Sequence, residues 1–148
     1  MKIPPFRLKA PQRYRRHQRD LVRGLLAEAL AELEKYQREV KELEEQKLHA
    51  LGELAEATRP GALNVDGAVA RRIHVGQLGI MIQGAQRKVA LAESQVALCR
   101  QTLVVADQKV KSLENLEEQD RLSFLQEQDK KESREREDNW LSIHAFER

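Results

Sequence analysis

An all-α fold, in the form of a long antiparallel two-helix coiled-coil hairpin, is what three features of this sequence predict. The first is an apolar residue at every position of an alternating four-three register: Leu78, Ile82, Ala85, Val89, Ala92, Val96, Cys99, Leu103, Ala106, Val110 and Leu113. The second is a matching register in the first half of the chain, and the third is a Pro-Gly break between the two. A 3.5-residue repeat held over five heptads demands a left-handed supercoil against a partner helix, because a straight helix would carry the stripe away from its neighbour. One column of the seam is bulky (Ile82, Val89, Val96, Leu103, Val110) and the other small (Ala85, Ala92, Cys99, Ala106), so the partner backbone comes close.

Composition points the same way. Of 148 residues, 34% are charged and only 4% aromatic. A compact core of this size needs more Phe, Tyr and Trp, whereas Leu, Val and Ala suffice to fill a two-helix seam. The expectation is one elongated coiled-coil domain over residues 1–148.

Residues 1–10 are expected to be extended, since three of the four prolines lie between Met1 and Pro11, with Pro11 suited to the first turn of a helix. The first helix is assigned to 11–57. Its start, Gln12 to Asp20, is helix-compatible but too polar for a core face and reads as a solvated cationic segment. From Val22 the register continues through Leu26, Ala29, Leu33, Tyr36, Val40, Leu43, Lys47, Ala50 and Leu54, broken only by Lys47. This stretch is the natural intrachain partner of the second seam.

The hairpin tip is assigned to 58–67, where Pro60-Gly61 ends the first helix and Asn64 or Asp66 caps the second. The second helix is assigned to 68–146. Near its start Gly76, Gly79 and Gly84 each weaken it by about 1 kcal/mol relative to Ala; they allow either close helix approach or a softer, partner-accessible surface. Beyond Leu113 the register decays to Leu116, Leu122, Phe124 and Leu125. A highly charged run from Gln126 to Asn139 then leads to Trp140, Leu141, Ile143 and Phe146. That apolar tail is either a docking patch or a segment folded back on Phe6 and Tyr14. At 1.5 Å per residue the helices would be roughly 65 Å and 90–110 Å long.

Charge is distributed unevenly along the chain. Residues 1–23 carry eight Lys or Arg against Asp20 alone, and residues 117–148 carry ten acids against six bases. An antiparallel hairpin lays the basic start beside the acidic end. The single Cys excludes an internal disulfide framework, and Cys99 reads as a small buried hydrophobe. His74 has no second ligand at helical spacing, so no metal is expected. No nucleotide-binding glycine loop, nucleophile with a nearby base or carboxylate pair in an apolar setting occurs, so the expectation is a non-enzyme with no catalytic residue and no cofactor. With no signal-peptide core after Met1 and no run of about eighteen apolar residues, a soluble cytoplasmic protein is expected.

The polar start Arg13-Tyr14-Arg15-Arg16-His17-Gln18-Arg19-Asp20 on a two-helix hairpin of this length resembles the flagellar export stalk protein FliJ and its type III secretion counterparts. The likeness also takes in Phe6-Arg7-Leu8, Val65-Asp66-Gly67-Ala68 followed by Arg71-Arg72, Val110-Lys111-Ser112-Leu113-Glu114, and Glu132-Ser133-Arg134-Glu135-Arg136-Glu137-Asp138. The family often closes on a Lys/Gln-rich stretch, where this chain has Asp138-Asn139-Trp140-Leu141. The resemblance implies a stalk without chemistry of its own, peripheral to the inner face of the cytoplasmic membrane. Its terminal pole would enter a hexameric export ATPase ring, and other parts would contact the cytoplasmic domain of the export gate and export chaperones. Carried onto this sequence, the ring-facing group is Arg13, Arg15, Arg16, Gln18 and Arg19, and the gate-facing group is Leu78, Ile82, Ala85 and Val89. Those last four are also seam positions, so core and docking surface stand as competing assignments for them.

Two other classes fit the residues less closely. In a generic coiled-coil adaptor the same seams pair between chains. In a nucleic-acid-binding protein the basic start neutralises phosphates, but that stretch lacks the spacing of a recognised DNA motif and has only Phe6 and Tyr14 for base stacking, so no nucleic acid is expected.

Overall fold

The computed structural model describes residues 3–61 and 64–145. It contains two helices, α1 (Lys9–Ala57, 49 residues) and α2 (Val65–Ala145, 81 residues), with no strand among the described residues. The helices pack against each other as a helical hairpin. Phe146, at the end of the apolar tail, lies outside the described residues, as do Ala62 and Leu63 in the turn.

The break between the helices follows from local chemistry. The Thr58 hydroxyl donates to the Leu54 and Ala55 carbonyls at 3.0 and 3.2 Å, satisfying acceptors that the ending helix leaves open. Gly61 then takes a φ of 91°, a left-handed conformation in which a side chain would be strained. Of the two candidate caps it is Asn64 that serves: its Oδ1 accepts from the Gly67 amide at 3.3 Å and its carbonyl from Ala68 at 2.8 Å. Asp66 sits in the first turn, where a carboxylate complements the helix dipole.

Two compact units are distinguished, Leu21–Leu103 and Met1–Asp20 with Val104–Arg148. In the first, Leu43 and Ala50 of α1 are buried with Leu78, Ile82 and Ala85 of α2, and Val40 and Val75 pack against them. Ala92 and Val96 continue the buried stripe. Every position of both apolar registers that falls in this unit is buried or half-buried. Antiparallel direction is evident in the pairs: Glu39 reaches Lys88 at 3.7 Å, while Lys47, further along α1, lies beside Gly79, further back along α2. Lys47 is the one polar residue in its register. Its Nζ lies 3.7 Å from where a Cβ on Gly79 would stand, so the missing side chain leaves room for the ammonium to reach out of the seam.

In the second unit Val110 is the most buried apolar residue, with Leu113 half-buried one step on. Here the structure corrects the sequence reading. Gln12 to Asp20 is not simply a solvated start, because Gln12 is fully buried and Arg15 and Arg19 are half-buried. Counting back from Val22 in the same register gives Arg19, Arg15, Gln12 and Leu8, so the seam runs on through polar residues. On α2 the register likewise continues past Leu113 through Glu117, Asp120 and Phe124; Glu117 and Phe124 are half-buried and Asp120 exposed, as are the out-of-register Leu116, Leu122 and Leu125.

Candidate functional site

The pole unit carries the residues expected to face an ATPase ring, and its geometry starts from the polar seam. Gln12 Nε2 donates to Glu117 Oε2 at 2.6 Å, and Lys9 Nζ stands 3.8 Å from the other carboxylate oxygen. Arg7 pairs with Asp120 at 3.7 Å and Arg16 with Glu114 at 3.5 Å. These are cross-helix pairs of opposite sign, so the basic helix start and the acidic stretch of α2 do meet. Each ion pair is at least partly open to solvent and contributes at most about 1 kcal/mol. The Gln12–Glu117 bond differs because it is charge-assisted and its donor is fully buried. Gln12 Oε1 is buried with no partner among the described residues, so the site keeps an unmet acceptor.

The five predicted ring-facing residues divide. Arg15 Nη1 donates to Gln18 Oε1 at 3.0 Å, and Gln18 Nε2 donates to the Tyr14 hydroxyl at 2.7 Å. The Arg15 guanidinium also lies 5.6 Å from the Tyr14 ring centre, closing a small cluster on the surface of α1. Arg19 is turned to Asp20 at 3.4 Å, and Arg16 is held by Glu114. Arg13 is exposed and makes no ion pair or hydrogen bond among the described residues. Four of the five are therefore engaged within the protein, and Arg13, with exposed Tyr14 and His17 beside it, forms the outward cationic face.

In the same unit, Ile3, Pro4 and Phe6 line a small cleft of about 200 Å³ with Phe124, walled by Arg7 and Asp120. Residues 129–145 of α2 are exposed throughout. The apolar tail does not return to Phe6 and Tyr14: Trp140, Leu141 and Ile143 are about 60% exposed, and Trp140 stacks on His144 with ring centres 4.0 Å apart. A ring nitrogen of that histidine bonds the Trp140 carbonyl at 2.9 Å.

The four predicted gate-facing residues lie in the other unit, inside the seam. Leu78, Ile82 and Ala85 belong to the buried cluster and Val89 is half-buried. As packed, they offer no docking surface. Sequence reasoning missed a second apolar stripe close by: Val65, Val69, Ile73 and Ile80, between 52% and 71% exposed. Ile80 stands two residues from both Leu78 and Ile82, about 200° round the helix, so this stripe faces away from α1. Gly76 lies within it, and a Cβ there would meet nothing within 4 Å. Over residues 65–92, Arg71, Arg72, Arg87 and Lys88 are set against Asp66 alone, so the stripe is cationic as well as apolar. The readable signal was the recurrence of Val65, Val69, Ile73 and Ile80 at steps of four, four and seven, outside the longer seam.

Among the described residues no helix is long and apolar enough to cross a membrane, and no group of three or more His, Cys, Asp or Glu is arranged to hold a metal ion. No curated protein and no solved structure matches the chain. The sequence model of the flagellar FliJ protein matches residues 6–144, which takes in the polar seam, the cationic face, the outward stripe and Trp140. On a match over nearly the whole of a helical hairpin, the chain belongs to the FliJ family of flagellar export components.

Proposed function

We propose that this protein is the non-enzymatic central stalk of a flagellar export apparatus, working in the cytoplasm at the inner face of the membrane. Its terminal pole inserts into the hexameric export ATPase ring, and the rest of the chain links that ring to the export gate and to export chaperones. The observation that carries this reading is the family match together with a pole whose outward face, Arg13, Tyr14 and His17, is cationic and exposed. Arg13 makes the principal ring contact, while Arg15, Arg16, Gln18 and Arg19 hold the pole in shape and reach the ring only by exchanging internal partners. Contact with the gate falls to Val69, Ile73 and Ile80, because Leu78, Ile82, Ala85 and Val89 become available only if the helices part.

Titrating the protein into the flagellar export ATPase, with turnover and ring assembly followed together, tests the reading. Both signals should rise and saturate near one chain per hexamer. Arg13→Glu should weaken the effect by about tenfold, equivalent to ~1.4 kcal/mol of binding energy, with helix content unchanged. No change in either signal on adding the wild-type chain sinks the stalk assignment. Stimulation that survives Arg13→Glu sinks only the assignment of the face.

A further inference from the structure

Alongside the seam, and separate from both surfaces above, the Leu21–Leu103 unit carries an open groove of about 870 Å³ between α1 and α2. Its floor is the edge of the seam itself, Val22 and Ala29 facing Cys99. Leu25 on one wall and Leu98 on the other stand 56% and 57% exposed. Leu21, four residues before Leu25 on α1, and Leu91, seven before Leu98 on α2, are exposed too and lengthen the apolar strip. The groove spans residues 22–35 of α1, about four turns, or roughly 20 Å. An apolar trough of that length between two helices has the shape that receives a third helix.

The rim determines what kind of helix. Glu28 and Glu32 stand on the α1 side and make no ion pair among the described residues, while the α2 side is neutral, with Gln95 and Thr102. Lys35, at one end, is drawn to the Tyr36 ring at 5.8 Å. Further along, Glu39 is already matched by Lys88. With two carboxylates against one ammonium, the groove lining is net negative. A second copy of this chain, docked by the same face, would gather four carboxylates against two ammonium groups in one contact, an excess of like charge that disfavours self-association.

We propose that this groove is a docking site for an amphipathic helix of another protein, with Leu-like side chains on its buried face and Lys or Arg along the flank that meets Glu28 and Glu32. Leu25 and Leu98 clasp the apolar face, and the two carboxylates select the charge and the orientation of the helix.

The sole cysteine of the chain, at the groove floor, provides the readout. The probe is a synthetic 18-residue peptide with Leu at helical i, i+3, i+4, i+7 spacing and Lys on the flanks, compared with the same peptide carrying Glu. Binding of the Lys peptide should slow the reaction of Cys99 with Ellman's reagent by about tenfold or more, and the Glu peptide should have little effect. Leu98→Glu, on an exposed side chain outside the seam, should abolish protection without loss of helix content. Glu28→Gln with Glu32→Gln should weaken binding about fivefold and flatten its salt dependence. Three outcomes overturn the proposal: no protection at about 1 mM Lys peptide, where only negligible affinity remains untested; equal protection by the Glu peptide; or protection that persists in Leu98→Glu. Concentration-dependent shielding of Cys99 without peptide, with a dimer in sedimentation, would assign the groove to a second copy instead.

Discussion

Over residues 40–54 the seam between the helices is filled by Leu43 and Ala50 against Leu78, Ile82 and Ala85, whereas between Leu8 and Arg19 the same heptad positions carry Gln12, Arg15 and Arg19. The first stretch gains free energy by removing aliphatic surface from water, about 1.5–3 kcal/mol for each large side chain fully buried. The second gains little, because exposed ion pairs are nearly balanced by desolvation and ordering. What it gains is register: Gln12 against Glu117, Lys9 against the same carboxylate and Arg7 against Asp120 are satisfied together only in one alignment of the helices. Apolar positions thus supply stability in one unit, and polar positions supply specificity in the other.

Leu78→Ala separates these roles most sharply. Leu78 is 3% exposed, and a Leu→Ala change at such a site costs about 2–3 kcal/mol through lost burial and the cavity left behind. Urea unfolding followed by helical circular dichroism should show that loss. Arg7→Ala or Arg16→Ala should stay within about 0.5 kcal/mol of wild type. Equal losses at all three positions would dissolve the contrast between the units.

The polar seam responds to the opposite treatment. Replacing Gln12 and Glu117 together by Leu removes a buried carbonyl that has no partner and puts aliphatic surface in its place, so the double variant should gain about 1 kcal/mol. It should also lose discrimination between alignments. With Cys99 replaced by Ala, cysteines introduced at residues 16 and 114, where Arg16 and Glu114 pair across the helices, should cross-link less uniformly in that background than in one retaining Gln12 and Glu117. A double variant that unfolds more readily would mean that the Gln12–Glu117 bond stabilises the pole as well as aligning it.

This contrast explains what the sequence did and did not disclose. The apolar seam was legible because Leu, Val and Ala at four-three spacing have no other common cause, and each of those positions in the tip unit is indeed covered. The polar seam was hidden because Gln12, Arg15 and Arg19, taken singly, read as solvated residues. Only their register with Val22, and the matching register of Glu117 and Phe124, marks them as seam positions, and of the three it is Gln12 that bonds across to α2. The cationic face was half legible. A cluster of arginines was plain in the sequence, but which of them are held by Glu114, Gln18 or Asp20 depends on neighbours brought in by the fold or on rotamers that periodicity does not specify. The outward stripe of Val69, Ile73 and Ile80 was present at helical spacing, yet the longer seam drew the gate-facing assignment onto buried residues.

The glycines of the tip unit sharpen the comparison at a smaller scale. Gly24, Gly52, Gly76 and Gly84 have nothing within 4 Å of an added Cβ, so Ala at any of them should stabilise the helix by about 0.5–1 kcal/mol. Gly67 should behave differently, because its Cβ would lie 3.1 Å from Arg71 Nη1 and 3.4 Å from Asn64 Nδ2, beside the helix cap. Gly61→Ala should cost about 1 kcal/mol or more, since φ there is 91°. Gly76 matters most for function, because it lies in the outward stripe without any internal packing reason. Under the proposed gate contact, Gly76→Ala should raise the melting temperature while weakening gate binding, and a variant that gains stability at no loss of binding would place the contact elsewhere.

The smallest effect belongs to the pole's acidic helix, where Glu118 and Arg121 form an i,i+3 pair through both guanidinium Nε and Nη2. The hydrogen bond from Arg121 holds the Glu118 carboxyl below the ordinary carboxylate value, against an opposing desolvation and with help from the guanidinium charge. Because the folded-state value is depressed, the unfolded chain takes up this proton more readily. The pair's stabilisation is therefore present above the ordinary carboxylate value and fades as pH falls through the lowered one. Both groups are on the open surface, so the shift should be visible in the titration of the Glu118 carboxyl carbon by NMR and should scarcely alter unfolding near neutral pH. Arg121→Gln should return the midpoint towards the ordinary value and leave the Gln12–Glu117 bond, one position away in sequence but turned into the seam, untouched. A midpoint that does not move would show that the two side chains do not pair in solution. A disturbed Glu117 would show that the exposed and seam-facing acids of this turn act as one network rather than two.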